Sequence, residues 1–305
     1  MNTYRICKLI SLFFVLSCVI PLHGQGKQQL VNIDSTSLAS RWLIKDNSSK
    51  FFKILPHKPV YLLPVNYIDD INNSPKSDNP LNTVTTPTEY NNPELTFQLS
   101  FKTRVIRMNK KKKLKLDLWI AYTQLSKWQF YNAPISRPFR ETNYEPEALL
   151  VLPMNYKVFG LKGVYLALGY NHQSNGRSNP YSRSWNRITF QAGWENDNWS
   201  VVLNPWIRIQ EDAIEDNNPN IENYVGRAEL LTAFSKEKHS FSLALRHSLN
   251  TGRNNRGSLR FHYNFQIVDN LSLLFQVFHG YGENLIDYNH KQTTVGLGFS
   301  LVRWR

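Results

Sequence analysis

About twelve stretches of this chain alternate apolar and polar residues, starting near residues 57, 94, 114, 143, 163, 183, 199, 223, 239, 257, 271 and 291. In "TVGLGFSLVRW", Val295, Leu297, Phe299 and Leu301 share one parity, and Gly296, Gly298 and Ser300 the other. "SFSLALRHSL" and "LKLDLWIAY" repeat the pattern through Phe241, Leu243 and Leu245 and through Leu114, Leu116, Leu118 and Ile120. A period of two sends successive side chains to opposite faces of an extended strand. Most of the stretches are 9 to 14 residues long. Strands of soluble sandwiches are typically ~5–6 residues, whereas a strand that crosses a bilayer at a tilt needs ~9–11. The expected fold is therefore all-β, a twelve-stranded antiparallel transmembrane β-barrel of the outer membrane.

The connections agree with that expectation. Short ones at 108–113, 156–162, 195–198, 235–238 and 268–270 alternate with longer ones near 129–142, 173–182, 211–222, 250–256 and 283–290. Outer-membrane barrels have short periplasmic turns and long external loops, with aromatic residues near the strand ends. An even strand count places both ends of the barrel chain on the periplasmic side and the stretch around 173–182 outside.

Residues 1–24 read as a secretory signal peptide: Arg5 and Lys8 precede the apolar run "LISLFFVLSCVI", and "PLHG" follows it. A lipobox around Cys18 is the weaker reading, because apolar residues continue past it. Cys7 and Cys18 are the only cysteines, so removal of this segment leaves no disulfide framework. Residues 25–52 read as a polar, loosely ordered segment, and 53–305 as the barrel domain. Lys and Arg exceed Asp and Glu by 13. In an exported chain this disfavours nucleic acid and favours outer-membrane lipid or lipopolysaccharide head groups, although basic loops also simply aid solubility.

One stretch is too polar for scaffold. "YNHQSNGRSNPYSRSWNR", residues 170–187, joins the end of one alternating run to the start of the next. In "GVYLALGYNH", the apolar Val164, Leu166 and Leu168 share parity with Tyr170 and His172, and Ser174 continues it. In the following run Ile188, Phe190, Ala192 and Trp194 share parity with Asn186 and Ser184. His172, Ser174 and Asn186 should thus face outward with the lipid-facing residues, where unpaired polar groups cost several kcal/mol. They can partner each other as nucleophile (Ser174), base (His172) and orienter (Asn186). A polar loop anchored by Asn and Ser turns is the competing reading. So are a non-enzymatic barrel, such as a narrow channel, and a soluble β-sandwich esterase, the latter opposed by strand length.

Taken whole, this stretch, together with "YTQLSKWQ" (122–129) and "SRPFRETNYEP" (136–146), resembles the outer-membrane phospholipase A family. The resemblance covers roughly 55–305 and is clearest from 120 to 195. It implies a calcium-dependent hydrolase of the sn-1 and sn-2 acyl esters of glycerophospholipids, active as a homodimer, with its catalytic loop on the external side. Carried over by position, Ser174, His172 and Asn186 form the triad, and the backbone N–H of Gly176 helps form the oxyanion hole. Ser182 gives a side-chain oxygen and Arg177 a carbonyl to Ca2+. Ser136 gives a carbonyl to the calcium site of the other subunit. Gln124 continues the outward parity of Leu116, Leu118, Ile120 and Tyr122. An amide facing lipid is costly unless paired, which marks Gln124 for the dimer interface. Gln173 and Arg137 depart from the family pattern, which commonly has an acidic and a small polar residue there.

Overall fold

The computed structural model describes residues 37–44, 52–108 and 115–305. The expected signal segment and the lysine-rich turn at 109–114 lie outside these residues. Two two-residue strands, β1 (Leu55–Pro56) and β6 (Lys157–Val158), flank twelve long ones. The long strands are β2 (Val60–Ile68), β3 (Pro93–Met108), β4 (Leu116–Trp128), β5 (Glu141–Pro153), β7 (Leu161–Ser174) and β8 (Ser184–Glu195). They continue with β9 (Trp199–Ile209), β10 (Ala228–Lys236), β11 (His239–His247), β12 (Gly257–Val268), β13 (Leu271–Gly280) and β14 (Gln292–Val302). Each pairs antiparallel with the next, and β14 pairs back onto β2, which closes the sheet into a barrel. Expected starts near 94, 163, 199, 239, 257, 271 and 291 fall at 93, 161, 199, 239, 257, 271 and 292.

The alternation decides which face is which. Val295, Leu297, Phe299 and Leu301 of β14 stand exposed on the outside, while Thr294, Gly296 and Ser300 between them are buried in the lumen. Apolar outside and polar inside is the arrangement a bilayer requires. The lumen is filled by side chains: Trp119, Trp185, Lys102 and Lys127 are each below 2 % exposed. Two of its cations, Lys127 and Arg140, share carboxylates. Lys127 Nζ lies 3.1 Å from Glu94 Oε1 and 2.9 Å from Glu283 Oε2. Arg140 Nε lies 2.8 Å from the same Glu94, and its Nη1 is 2.9 Å from Asp287 Oδ2. A buried charge needs such a partner, because its desolvation is otherwise uncompensated.

The described part of the segment expected to be loosely ordered, 37–44, is instead packed into the barrel. A short helix, Leu38–Arg41, is N-capped by Ser37. Its Leu38 N–H donates to Glu195 Oε2 at 2.6 Å. Trp42 follows, buried against Trp119 and Tyr165 at ring-centroid distances of 5.4 and 5.0 Å. Lys102 Nζ stands 3.1 Å from the Trp42 ring centroid. The apolar drive to bury a tryptophan, with the Lys102 side chain packed over its face, outweighs the polar composition around it.

Candidate active site

The polar stretch lies where β7 ends and β8 begins, at the barrel end carrying the long connections. Strand register sets His172 opposite Asn186 and Ser174 opposite Ser184. Leu166, Leu168 and Tyr170 are exposed on the outer face, and His172 and Ser174 continue their parity with half-exposed side chains. Val164 departs from the expected face. A register slip between Gly163 and Tyr165 inverts the alternation there, and Val164 is buried beside Trp119 and Tyr165. A bulge adds one residue to one strand and so swaps faces on its far side.

His172 and Asn186 are joined: Nδ1 lies 2.8 Å from Asn186 Oδ1. An amide oxygen only accepts, so the neutral ring carries its proton on Nδ1 and keeps its lone pair on Nε2. Ser174 is two residues along on the same face, and within the described residues its hydroxyl takes no hydrogen bond. Two side chains escaped the sequence reading. Tyr170 Oη donates to Asn186 Oδ1 at 2.8 Å, and Asn186 Nδ2 donates to Glu211 Oε1 at 3.0 Å. Tyr170 shares the quoted outward parity, and that is the signal by which its place beside Asn186 could have been found. Glu211 lies two residues past β9, where it prolongs the outward parity of Ile207 and Ile209. Burial, and then the nearby Asp216 carboxylate, push the Glu211 carboxyl above its ordinary value.

The loop 175–183 above these residues is held from within. Asn175, buried, donates through Nδ2 to Tyr181 O at 2.8 Å, and its Oδ1 accepts from the N–H groups of Arg177 and Arg183 at 3.3 and 3.0 Å. Arg183, fully buried, donates to the carbonyls of Pro180, Ser182, Lys76 and Asn82. Ser182 thus has its carbonyl engaged, while its hydroxyl oxygen takes only a 3.2 Å contact from Asn217 Nδ2. Arg177 and Ser182 lie on this one loop and offer uncharged oxygens, a donor type that suits a hard cation such as calcium. Gly176 adopts φ +63°, and a Cβ there would come 3.1 Å from the Tyr144 ring, so this turn favours glycine.

Ser136 belongs to a different connection, between β4 and β5, and its carbonyl accepts from Trp128 Nε1 at 2.6 Å. Arg177 Nη1 ties the two connections by donating to Arg140 O at 2.8 Å. Gln124 faces outward as expected, but its amide is not unpartnered. Tyr122 Oη donates to Gln124 Oε1 at 3.0 Å, and Gln124 Nε2 donates to Ser126 Oγ at 3.2 Å. The cost of an unpaired amide in lipid is met within the chain, so that argument alone does not demand a second subunit.

Residues 38–301 match the family model described as phospholipase A1. The putative phospholipase A1 of Neisseria meningitidis serogroup B is 36 % identical over 261 residues, which cover 84 % of this chain and 67 % of that protein. The chain spans 62 % of the length of the further curated relatives it matches at 39 to 41 % identity. Outer membrane phospholipase A from Escherichia coli superposes with a TM-score of 0.76 at 32 % identity, covering 88 % of this chain and 99 % of that one. The Salmonella typhi outer membrane phospholipase dimer with bound calcium superposes at 0.75 with the same identity and coverage. On the strength of its closed twelve-stranded barrel and of a family match running over nearly the whole described chain, this protein belongs to the phospholipase A1 family of enzymes.

Proposed function

We propose that the chain hydrolyses the sn-1 and sn-2 acyl esters of glycerophospholipids from the lipid-facing side of an outer-membrane barrel, with Ser174, His172 and Asn186 as its triad. The observation that carries this reading is the 2.8 Å His172–Asn186 bond on the outer face, with a serine hydroxyl two residues along. Ser174 Oγ attacks the ester carbonyl as His172 Nε2 takes its proton. The Asn186 oxygen keeps the ring in the Nδ1–H form and accepts from the imidazolium. The backbone N–H of Gly176 donates to the developing oxyanion. His172 returns the proton to the departing glycerol oxygen, leaving an acyl-serine. Water, deprotonated by the same nitrogen, releases the fatty acid and restores Ser174.

Ser182 Oγ and the Arg177 carbonyl would hold Ca2+, with the Ser136 carbonyl of the partner subunit completing the shell. When bound, the ion supplies positive charge beside the oxyanion. The calcium-bound dimer of the Salmonella typhi relative supports both points. Gln124, on the apolar face, is the residue proposed for the homodimer interface, where it would exchange its in-chain partners for those of a second copy. The site lies at the long-connection end, proposed to be external, where exposed Arg137 and Arg253 suit anionic lipopolysaccharide head groups. A phospholipase assay in detergent micelles tests the reading. Ser174→Ala should abolish ester hydrolysis while the barrel stays folded, and full turnover in that variant rejects the triad.

A further inference from the structure

We infer that Glu211 fixes which way round the Asn186 amide sits, so that its oxygen and not its nitrogen faces His172. The inference rests on the Ser174–His172–Asn186 reading and extends it to a fourth, positioning residue. An asparagine amide has an accepting and a donating end of nearly the same shape. Turned over, it would donate to Nδ1. The imidazole would then carry its proton on Nε2, where no lone pair remains to accept the serine proton. The other contacts leave the choice open. Tyr170 Oη, 2.8 Å from Asn186 Oδ1, can donate or accept, and either tautomer of His172 satisfies Nδ1. An ionised carboxylate only accepts. Glu211 Oε1, 3.0 Å from Asn186 Nδ2, therefore selects one orientation.

The surroundings keep Glu211 available for this task. Arg208, on the neighbouring stretch, is committed elsewhere: its Nη2 lies 2.7 Å from Asp216 Oδ1 and its Nη1 3.2 Å from Glu222 Oε2. Glu211 reaches Asn186 because register pairs Asn186 with Ile209, and two further residues of the same parity bring the carboxylate over the amide. The position is half-exposed at the apolar rim, where a carboxylate without a role is costly.

A mutant cycle on the calcium-loaded protein, with micellar phosphatidylcholine as substrate, tests this. Glu211→Ala should lower kcat roughly tenfold or more at unchanged KM, because a misplaced catalytic group loses rate and not binding. In an Asn186→Ala background the same change should add less than about twofold, since Glu211 acts only through that amide. Asn186→Asp should also be impaired, its new carboxylate facing Glu211. Asn186→Asp combined with Glu211→Gln should recover, because glutamine can donate to the aspartate. A side chain that merely braces the loop would give additive losses and no such rescue. Wild-type kcat in Glu211→Ala, or equal losses in both backgrounds, overturns the inference alone when Asn186→Ala is impaired. Full turnover in Asn186→Ala overturns the triad reading and this inference together.

Discussion

Arg140→Met removes the guanidinium at the centre of the luminal charge network. Arg140 donates three hydrogen bonds to carboxylates: Nε to Glu94 Oε2 at 2.8 Å, Nη2 to Glu94 Oε1 at 3.3 Å and Nη1 to Asp287 Oδ2 at 2.9 Å. Each hydrogen bond to a charged group contributes ~1.5–3 kcal/mol net, but the three share one desolvated cation and do not add. Removing one partner of a buried pair costs about 3–5 kcal/mol, because the other charge stays buried. Lys127 still reaches Glu94 at 3.1 Å, whereas Asp287 keeps the Asn284 amide at 2.8 Å in place of its cation. The loss should therefore come mainly from Asp287 and sit near the lower end, about 3 kcal/mol. Equilibrium unfolding in guanidinium, followed by tryptophan fluorescence of the detergent-solubilised barrel, measures it. Arg140→Met/Asp287→Asn should recover about half of the loss by removing the stranded charge. A single variant within about 0.5 kcal/mol of wild type, the range of ordinary surface changes, would refute the view that this network is tightly coupled.

Further outcomes follow from neighbouring features. Burial alone would raise the Asp287 carboxyl, but Arg140 beside it holds the group below its ordinary value. A carboxyl depressed on folding stabilises the barrel above its unfolded pKa, near ~4, and that stability is lost as pH falls through the folded value. His57 is depressed by burial despite Glu147, so a first, earlier loss of stability should begin as pH falls below about 6.5. A pH series of unfolding midpoints should show both steps, with Asp287→Asn making the lower one smaller. Trp42→Ala should cost about 3–5 kcal/mol, read as a lowered thermal midpoint, through the cavity left between Trp119 and Tyr165. Ser182→Ala should raise the calcium needed for half-maximal turnover roughly tenfold or more, with unchanged barrel stability, and turnover unaffected by chelator in the wild type would reject the metal site.

Strand number, most strand starts and the alternation of short and long connections were legible because they depend on local periodicity, which bilayer crossing enforces residue by residue; the start expected near 223 falls instead on the 3-10 turn Ile221–Asn223, and that strand begins at Ala228. The outward pairing of His172 with Asn186 was legible for the same reason, since parity on two adjacent strands is a local count. What escaped depends on tertiary position. Val164 changed face because β7 and β8 slip by one residue next to Gly163, and that glycine, a residue common at bulges, is the only mark of the slip in "LKGVYLAL". Trp42 sits in a polar segment whose destination is a pocket built by three distant strands. Gln124 found Tyr122 and Ser126 at i−2 and i+2, contacts open to a parity argument that asks what lies beside a residue as well as which way it faces. Glu211 belongs to a long connection, and only the register of β8 with β9 places it over Asn186.

Because β14 returns to β2, the twelve long strands form a closed sheet in which none is left as an edge strand. Neighbours in the membrane meet only side chains, and mostly apolar ones. Between two such faces in lipid there is no hydrophobic drive, since tails solvate leucine as well as leucine does, and association depends on fit and on occasional amide pairing. Encounters of this barrel are therefore governed by how crowded the membrane plane is. Spreading the same molecules over more lipid separates them without unfolding or chemical change, and gathering them reverses the process.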